Sequence, residues 1–180
     1  MSRTEPSTRP WLELIRKNDQ DLLALCRLDT FRGSGRGGQK RNKTSNAVRL
    51  TLLDLAVTES ASRSRAQNIT KALSKLRLAI ALSLSPSFVR SNTGMQLPVE
   101  LTTYCRQGII RINPQNSDFP VFIGVMLDMF IAYEGEWKSV ASEYGVSKSQ
   151  LRRFVEKHPT LRMSLKQAQS MFSPQRDEEI

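Results

Sequence analysis

The segment Gly33-Ser34-Gly35-Arg36-Gly37-Gly38 places four glycines ahead of Gln39 and a basic run, Lys40-Arg41-Asn42-Lys43. Four glycines in six residues cannot form a helix or a central strand, so the segment is a loop. It matches the G-x-G-x-x-G pattern of a dinucleotide-binding turn, and Asp54 stands where such a site would place its ribose ligand. The rest of that pattern fails. Gln39 to Asn46 is too short and too polar for a crossover helix, which needs about 10–12 residues with an apolar face. An arginine-glycine RNA-binding segment fits better, because Arg32, Arg36 and Arg41 interleave with glycine and would track phosphates. The chain's one histidine, His158, leaves little room for zinc chemistry or a Ser-His-Asp relay. Cys26 and Cys105 stand far apart. They make neither a disulfide framework nor a zinc site and fit a reducing, cytoplasmic setting. No metal and no cofactor is expected.

The charge singles out the same region. The 180 residues carry a net charge of +10. Residues 31–90 hold 12 bases against Asp54 and Glu59, whereas residues 1–30 and 91–180 each balance to zero. An excess confined to one third of the chain reads as a footprint for a polyanion. An anionic membrane surface fits less well, because no tryptophan interleaves with the block. No apolar run approaches the ~18–20 residues of a membrane span. The first ten residues lack the continuous apolar stretch of a signal peptide.

The elements that position the loop follow from periodicity. Leu28 to Arg32 is extended and leads into it. Ala47 to Leu53 alternates, with Val48, Leu50 and Leu52 on one face, and Leu55 to Thr58 can pair with it as a hairpin. Ser64 opens a helix, with Gln67 placed to complete a capping box. Ile69, Leu73, Leu76 and Ile80 form its apolar stripe, while Lys71 and Lys75 share another side. Farther on, helices are predicted from Asp118 to Gly135, from Trp137 to Tyr144, from Ser147 to His158 and from Leu161 to Phe172. The fold class is α+β: a short sheet with a long amphipathic helix, then a helical bundle. Trp11 to Lys17, entered by Pro10, can form one or two helical turns, and Asp21 to Leu25 another. The expected organisation is a flexible segment over 1–20, a first domain over 21–84, a linker with short extended pieces over 85–117, a helical module over 118–173 and an acidic tail over 174–180.

The loop carries more than glycines. Arg32-Gly-Ser-Gly-Arg-Gly-Gly-Gln39, the run Asn42-Lys43-Thr44, then Ala47-Val48-Arg49-Leu50, and Arg63-Ser64 with Asn68 together resemble the catalytic domain of class I peptide chain release factors. Its signature is the Gly37-Gly38-Gln39 tripeptide. The resemblance covers about residues 22–83. It implies hydrolysis of the ester that joins a nascent peptide to the terminal ribose of tRNA, on the ribosome, with large-subunit rRNA and peptidyl-tRNA as partners.

That chemistry makes the tripeptide intelligible. A loop entering a narrow RNA-lined cavity excludes bulky side chains. Gly37 and Gly38 permit backbone angles closed to other residues, which can aim the Gln39 N–H at a developing oxyanion or leaving hydroxyl. The Gln39 amide does not titrate near neutral pH, so its side chain would position water and reject larger nucleophiles. Arg32, Arg36, Lys40, Arg41, Lys43 and Arg49 would neutralise rRNA phosphates, and Arg63, Arg65, Lys71 and Lys75 are counted with them. Gly35 and Asn42 would shape the loop, Asn42 through local hydrogen bonds. Two departures stand out: Arg36 replaces the family's usual proline or alanine, and Leu53-Asp54 stands where a Pro-Thr-Gly turn is usual.

The chain contains no Pro-x-Thr or Ser-Pro-Phe tripeptide of the kind that reads stop codons, and its length is too short for a codon-reading domain. Its end, Ser173 to Ile180, is acidic, unlike the basic tail of short ribosome-rescue members. The expectation is a monomeric, codon-independent rescue hydrolase in the cytoplasm, with no membrane partner. The alternative is a non-enzymatic basic RNA-binding or helix-turn-helix regulatory protein. Ala141, Gly145, Ser147 and Leu151 fit both a helix-turn-helix and a plain helical hairpin. The helix after Ser147 would display Lys148, Gln150, Arg152 and Arg153 as contacts.

Overall fold

The computed structural model describes residues 10–32, 46–83 and 96–172. They fall into two compact units, residues 1–81 and 82–180, each treated by itself.

The N-terminal unit runs α1 (Pro10–Arg16), α2 (Asp19–Ala24), β1 (Arg27–Phe31), β2 (Ala47–Leu52), β3 (Leu55–Glu59) and α3 (Arg65–Ser83). The three strands form one antiparallel sheet in the order β1-β2-β3. Val48, Leu50 and Leu52 are buried, as the alternation predicts. Register sets Val48 opposite both Thr30 and Glu59, and Phe31 opposite Ala47. The β2–β3 connection is a two-residue turn, Leu53-Asp54, between the paired Leu52 and Leu55. Leu53 adopts φ 52° to make it, an exposed leucine where glycine is preferred.

Ser64 does cap α3, its hydroxyl accepting from the Gln67 N–H at 3.4 Å. The reciprocal half of the box differs. The Gln67 side chain accepts from the Ser62 hydroxyl at 2.6 Å, and Ser62 in turn accepts from the Ser64 N–H. Ala72, Leu73, Leu76 and Ile80 of α3 are buried, each fully buried leucine contributing about 2 kcal/mol.

The stretch expected as flexible, 1–20, is structured in its described part. Trp11, Leu12 and Ile15 of α1 are buried in the core. Their spacing puts them on one side of a short helix. Arg77 of α3 donates to the carbonyls of Ile15 (3.1 Å) and Lys17 (2.8 Å) and pairs with Asp19 at 2.8 Å. Those orphan carbonyls at the end of α1 are thereby satisfied from a distant helix.

The C-terminal unit contains α4 (Val99–Thr102), the β4 (Cys105–Arg106) and β5 (Ile109–Ile110) hairpin, α5 (Phe119–Ala132), α6 (Trp137–Glu143), α7 (Lys148–Glu156) and α8 (Pro159–Ser170). The region expected as a linker, 85–117, is structured from 96 on. Leu97 and Leu101 are buried, and the Tyr104 hydroxyl donates to the Asp118 carboxylate at 2.7 Å. Proline and glycine punctuation concealed this packing because its elements are only two to four residues long.

Helix α5 is buried from Phe119 to Ile131 and forms the centre of the unit. Its Phe122 ring meets Tyr104, Tyr144 and Phe154 edge-on. Gly135 (φ 81°) ends the chain turn after α5, and Gly145 (φ 61°) the one after α6. Both glycines stand where the sequence placed helix ends. No helix among the described residues is long and apolar enough to cross a membrane.

Candidate nucleic-acid and catalytic site

Strands β1 and β2 pair antiparallel, and Phe31 opposite Ala47 is their last rung. The glycine loop connects these two residues. Gln39 lies eight residues after Phe31 and eight before Ala47, at the midpoint of the connection. Gly35, Arg36, Gly37, Gly38, Gln39, Lys40, Arg41, Asn42 and Lys43 lie outside the described residues, so the site's geometry is that of its roots.

The second of those roots is held by a buried side chain. Asn68, fully buried in the first turns of α3, donates from Nδ2 to the Asn46 carbonyl at 2.7 Å and to the Ser62 carbonyl at 2.9 Å. Its Oδ1 accepts from the Ser62 N–H at 2.9 Å. A single amide thus ties the end of the glycine loop, the β3–α3 connection and the helix together. The buried amide has donors and acceptor satisfied, which is the condition for placing it there without penalty.

A second buried polar group stands beside it. Glu59, at the end of β3, is 8% exposed. It accepts from the backbone N–H of Ser60 (3.0 Å) and Ala61 (2.9 Å) and pairs with Lys75 at 2.9 Å. The Lys75 hydrogen bond and the Ala61 N–H hold its carboxyl down to about 2, against burial, which opposes them. Lys75 also donates to the Thr58 carbonyl at 3.2 Å. Lys75, placed by the sequence among phosphate contacts, therefore has its ammonium engaged in fastening α3 to β3. Sequence reading missed Glu59 and gave Asn68 no contact of its own, because their partners lie in other segments.

The remaining described candidates are exposed. Arg32 follows the last rung, and Arg63 and Arg65 flank the Ser62–Asn68 bridge. Lys71 lies one turn farther along α3. Arg49 projects from β2 with its guanidinium 6.0 Å from the Phe31 ring centre. The ends of β1 and β3 and the starts of β2 and α3 thus bring Arg32, Arg63 and Arg65 to the loop's end of the sheet.

In the C-terminal unit, Ser147 caps α7 by accepting from the Gln150 N–H at 3.2 Å. Lys148, Arg152 and Arg153 are exposed and Gln150 is half-buried. His158 packs against Phe119 and Phe154, and burial lowers its pKa. Both cysteines are free, and burial raises the Cys105 thiol to about 11. Among the described residues, no three His, Cys, Asp or Glu side chains gather as a metal set.

The family model of the RF-1 domain matches residues 19–92, which take in the three strands, the glycine-rich connection between β1 and β2, and α3. Over this region the chain is similar to class I peptide chain release factors. It is 35% identical over 121 residues to peptide chain release factor 2 of Paramagnetospirillum magneticum, covering 59% of this chain and 33% of that protein. It is 49% identical over 47 residues to peptide chain release factor 2 of Pseudothermotoga lettingae, covering 26% of this chain and 13% of the other. Against peptide chain release factor 1 of Nitrosomonas eutropha the identity is 48% over 49 residues, 27% of this chain and 14% of that one. The chain spans a third or less of the length of these relatives. No solved structure matches it significantly.

Proposed function

We propose that the chain is a release-factor-like peptidyl-tRNA hydrolase that acts in the cytoplasm on the ribosome and rescues stalled complexes without reading a codon. The observation that carries this reading is the placement of Gln39 at the midpoint of a loop closed by the Phe31–Ala47 rung, within a matched RF-1 domain. In the reaction, water adds to the ester carbonyl. The bond to the ribose oxygen breaks, and that oxygen takes up a proton as the 3′-hydroxyl. The Gln39 N–H would stabilise the charge developing on oxygen, and its amide would hold the attacking water. The exposed bases Arg32, Arg49, Arg63, Arg65 and Lys71 would balance the phosphates around the loop's entry.

The test is peptide release from ribosomes stalled on mRNA that lacks a stop codon. Gln39→Ala is expected to slow release by about 10²–10³-fold, the usual effect of losing a group that acts on the developing charge. Release at the parent rate would exclude the loop as catalytic.

A further inference from the structure

In the C-terminal unit, Ala141 of α6 is buried, the Val146 N–H donates to its carbonyl at 3.0 Å, and Gly145 turns the chain at φ 61°. Ser147 caps α7, and Leu151, Phe154 and Val155 are its buried positions. These contacts make a tight, glycine-turned connection between α6 and α7 and anchor α7 through its apolar side.

What α7 leaves outward is cationic. Lys148, Ser149, Arg152, Arg153, Glu156 and Lys157 at its end are exposed. Glu156, the acid among them, is paired with Arg162 of α8 at 2.9 Å. No ion pair joins Lys148, Arg152, Arg153 or Lys157 among the described residues. The Arg152 guanidinium lies 5.3 Å from the Trp137 ring centre, which narrows its freedom without neutralising it. Lys148 and Arg152 form one row at i, i+4, and Arg153 and Lys157 the adjacent row. Together they span about 14 Å of helix axis.

We propose that this face of α7 binds the phosphate rim of a folded RNA helix and gives the chain a second hold on RNA, apart from the glycine loop. Phosphate rather than base is the target the side chains favour. Gln150, the amide that could read a base edge, is half-buried, and the exposed residues are cations and one serine. An A-form helix has a deep, narrow major groove, so α7 lies across the backbone instead of entering it. The choice of RNA over DNA rests on the release-factor reading of the N-terminal unit. Held on the same chain as that unit, a weak contact gains from its effective concentration.

The test measures binding of the full chain to a labelled 20-base-pair RNA hairpin, and to a DNA duplex of the same sequence, across a salt series. The variant K148A/R152A/R153A/K157A is expected to bind the RNA at least ten-fold more weakly. Its log–log salt slope should be shallower by about 3.6, or about 0.9 for each of the four lost phosphate contacts. The charge-conserving variant K148R/R152K/R153K/K157R should stay within about three-fold of the parent, because a diffuse phosphate contact needs charge more than fork geometry. Unchanged RNA affinity in the alanine variant would overturn the proposal. So would a loss confined to the DNA duplex, or an equal loss in both variants, which would mean damaged packing. Peptide release is not the readout, so failure of the hydrolase reading and failure of this one are distinguishable.

Discussion

Asn68 in the N-terminal unit and Ser147 in the C-terminal unit both serve the start of a helix beside cationic residues. They hold it by different means. Asn68 is buried and bonds to Asn46 and Ser62, residues from two other segments. Ser147 is exposed and makes its bond to the N–H three residues along. The loop's root therefore depends on an interior, long-range network, whereas the α7 face depends on a local cap and on apolar packing around α5. Removing the first breaks three bonds to half-buried groups of other segments, and removing the second exposes one N–H to water.

The comparison is tested most strongly by Asn68→Ala. It leaves the Asn46 and Ser62 carbonyls and the Ser62 N–H without their partner and is expected to destabilise by about 3 kcal/mol. Chemical denaturation of the full chain, followed on the transition of the N-terminal unit, measures it. A loss below about 1 kcal/mol would break the contrast with Ser147.

Glu59→Gln comes next, at about 2 kcal/mol near neutral pH, because Lys75 keeps water access when its partner is removed. The pH dependence follows from the depressed carboxyl. The native pKa, about 2, lies below the ordinary value of 4.5. The ionised form therefore stabilises the fold fully above about pH 4.5, and that contribution fades as pH falls toward 2. The gap between parent and variant should close over this window in thermal melts taken at stepped pH. A gap that stays constant down to pH 2 would remove the ion pair as its cause.

The smallest effect belongs to Gly145→Ala. A Cβ there would meet nothing within 4 Å, so the left-handed backbone at φ 61° is the sole source of strain. About 1 kcal/mol is expected, read as a shift in the melting of the C-terminal unit. A loss above 3 kcal/mol would show that the turn is held by more than backbone preference.

The same division decides what the sequence could reveal. The signals that proved legible were local ones. Alternation at Val48, Leu50 and Leu52 marked β2, Ser147 marked a helix start, and Gly135 and Gly145 marked helix ends. Interactions between distant segments left no such trace. Nothing in the spacing of Arg77 indicates the Ile15 carbonyl 62 residues away. Lys75 read as one more base in a basic block, since Glu59, which engages it, belongs to another element. Trp11, Leu12 and Ile15 were buried by a helix too short to display a full apolar period.

The closing rung between Phe31 and Ala47 also fixes a tether length. Gln39 is eight Cα-to-Cα steps from each strand end, so the glutamine can stand no more than about 28 Å from the sheet, whatever path either limb takes. Equal limbs place that limit symmetrically, so neither strand must fray for the tip to be fully extended. Adding one residue to each limb would lengthen the tether by about 3.5 Å, and the closure entropy would change by only a few tenths of a kcal/mol. The farthest reach of Gln39 is therefore a property of residue count on either side of it, adjustable without any change to the sheet.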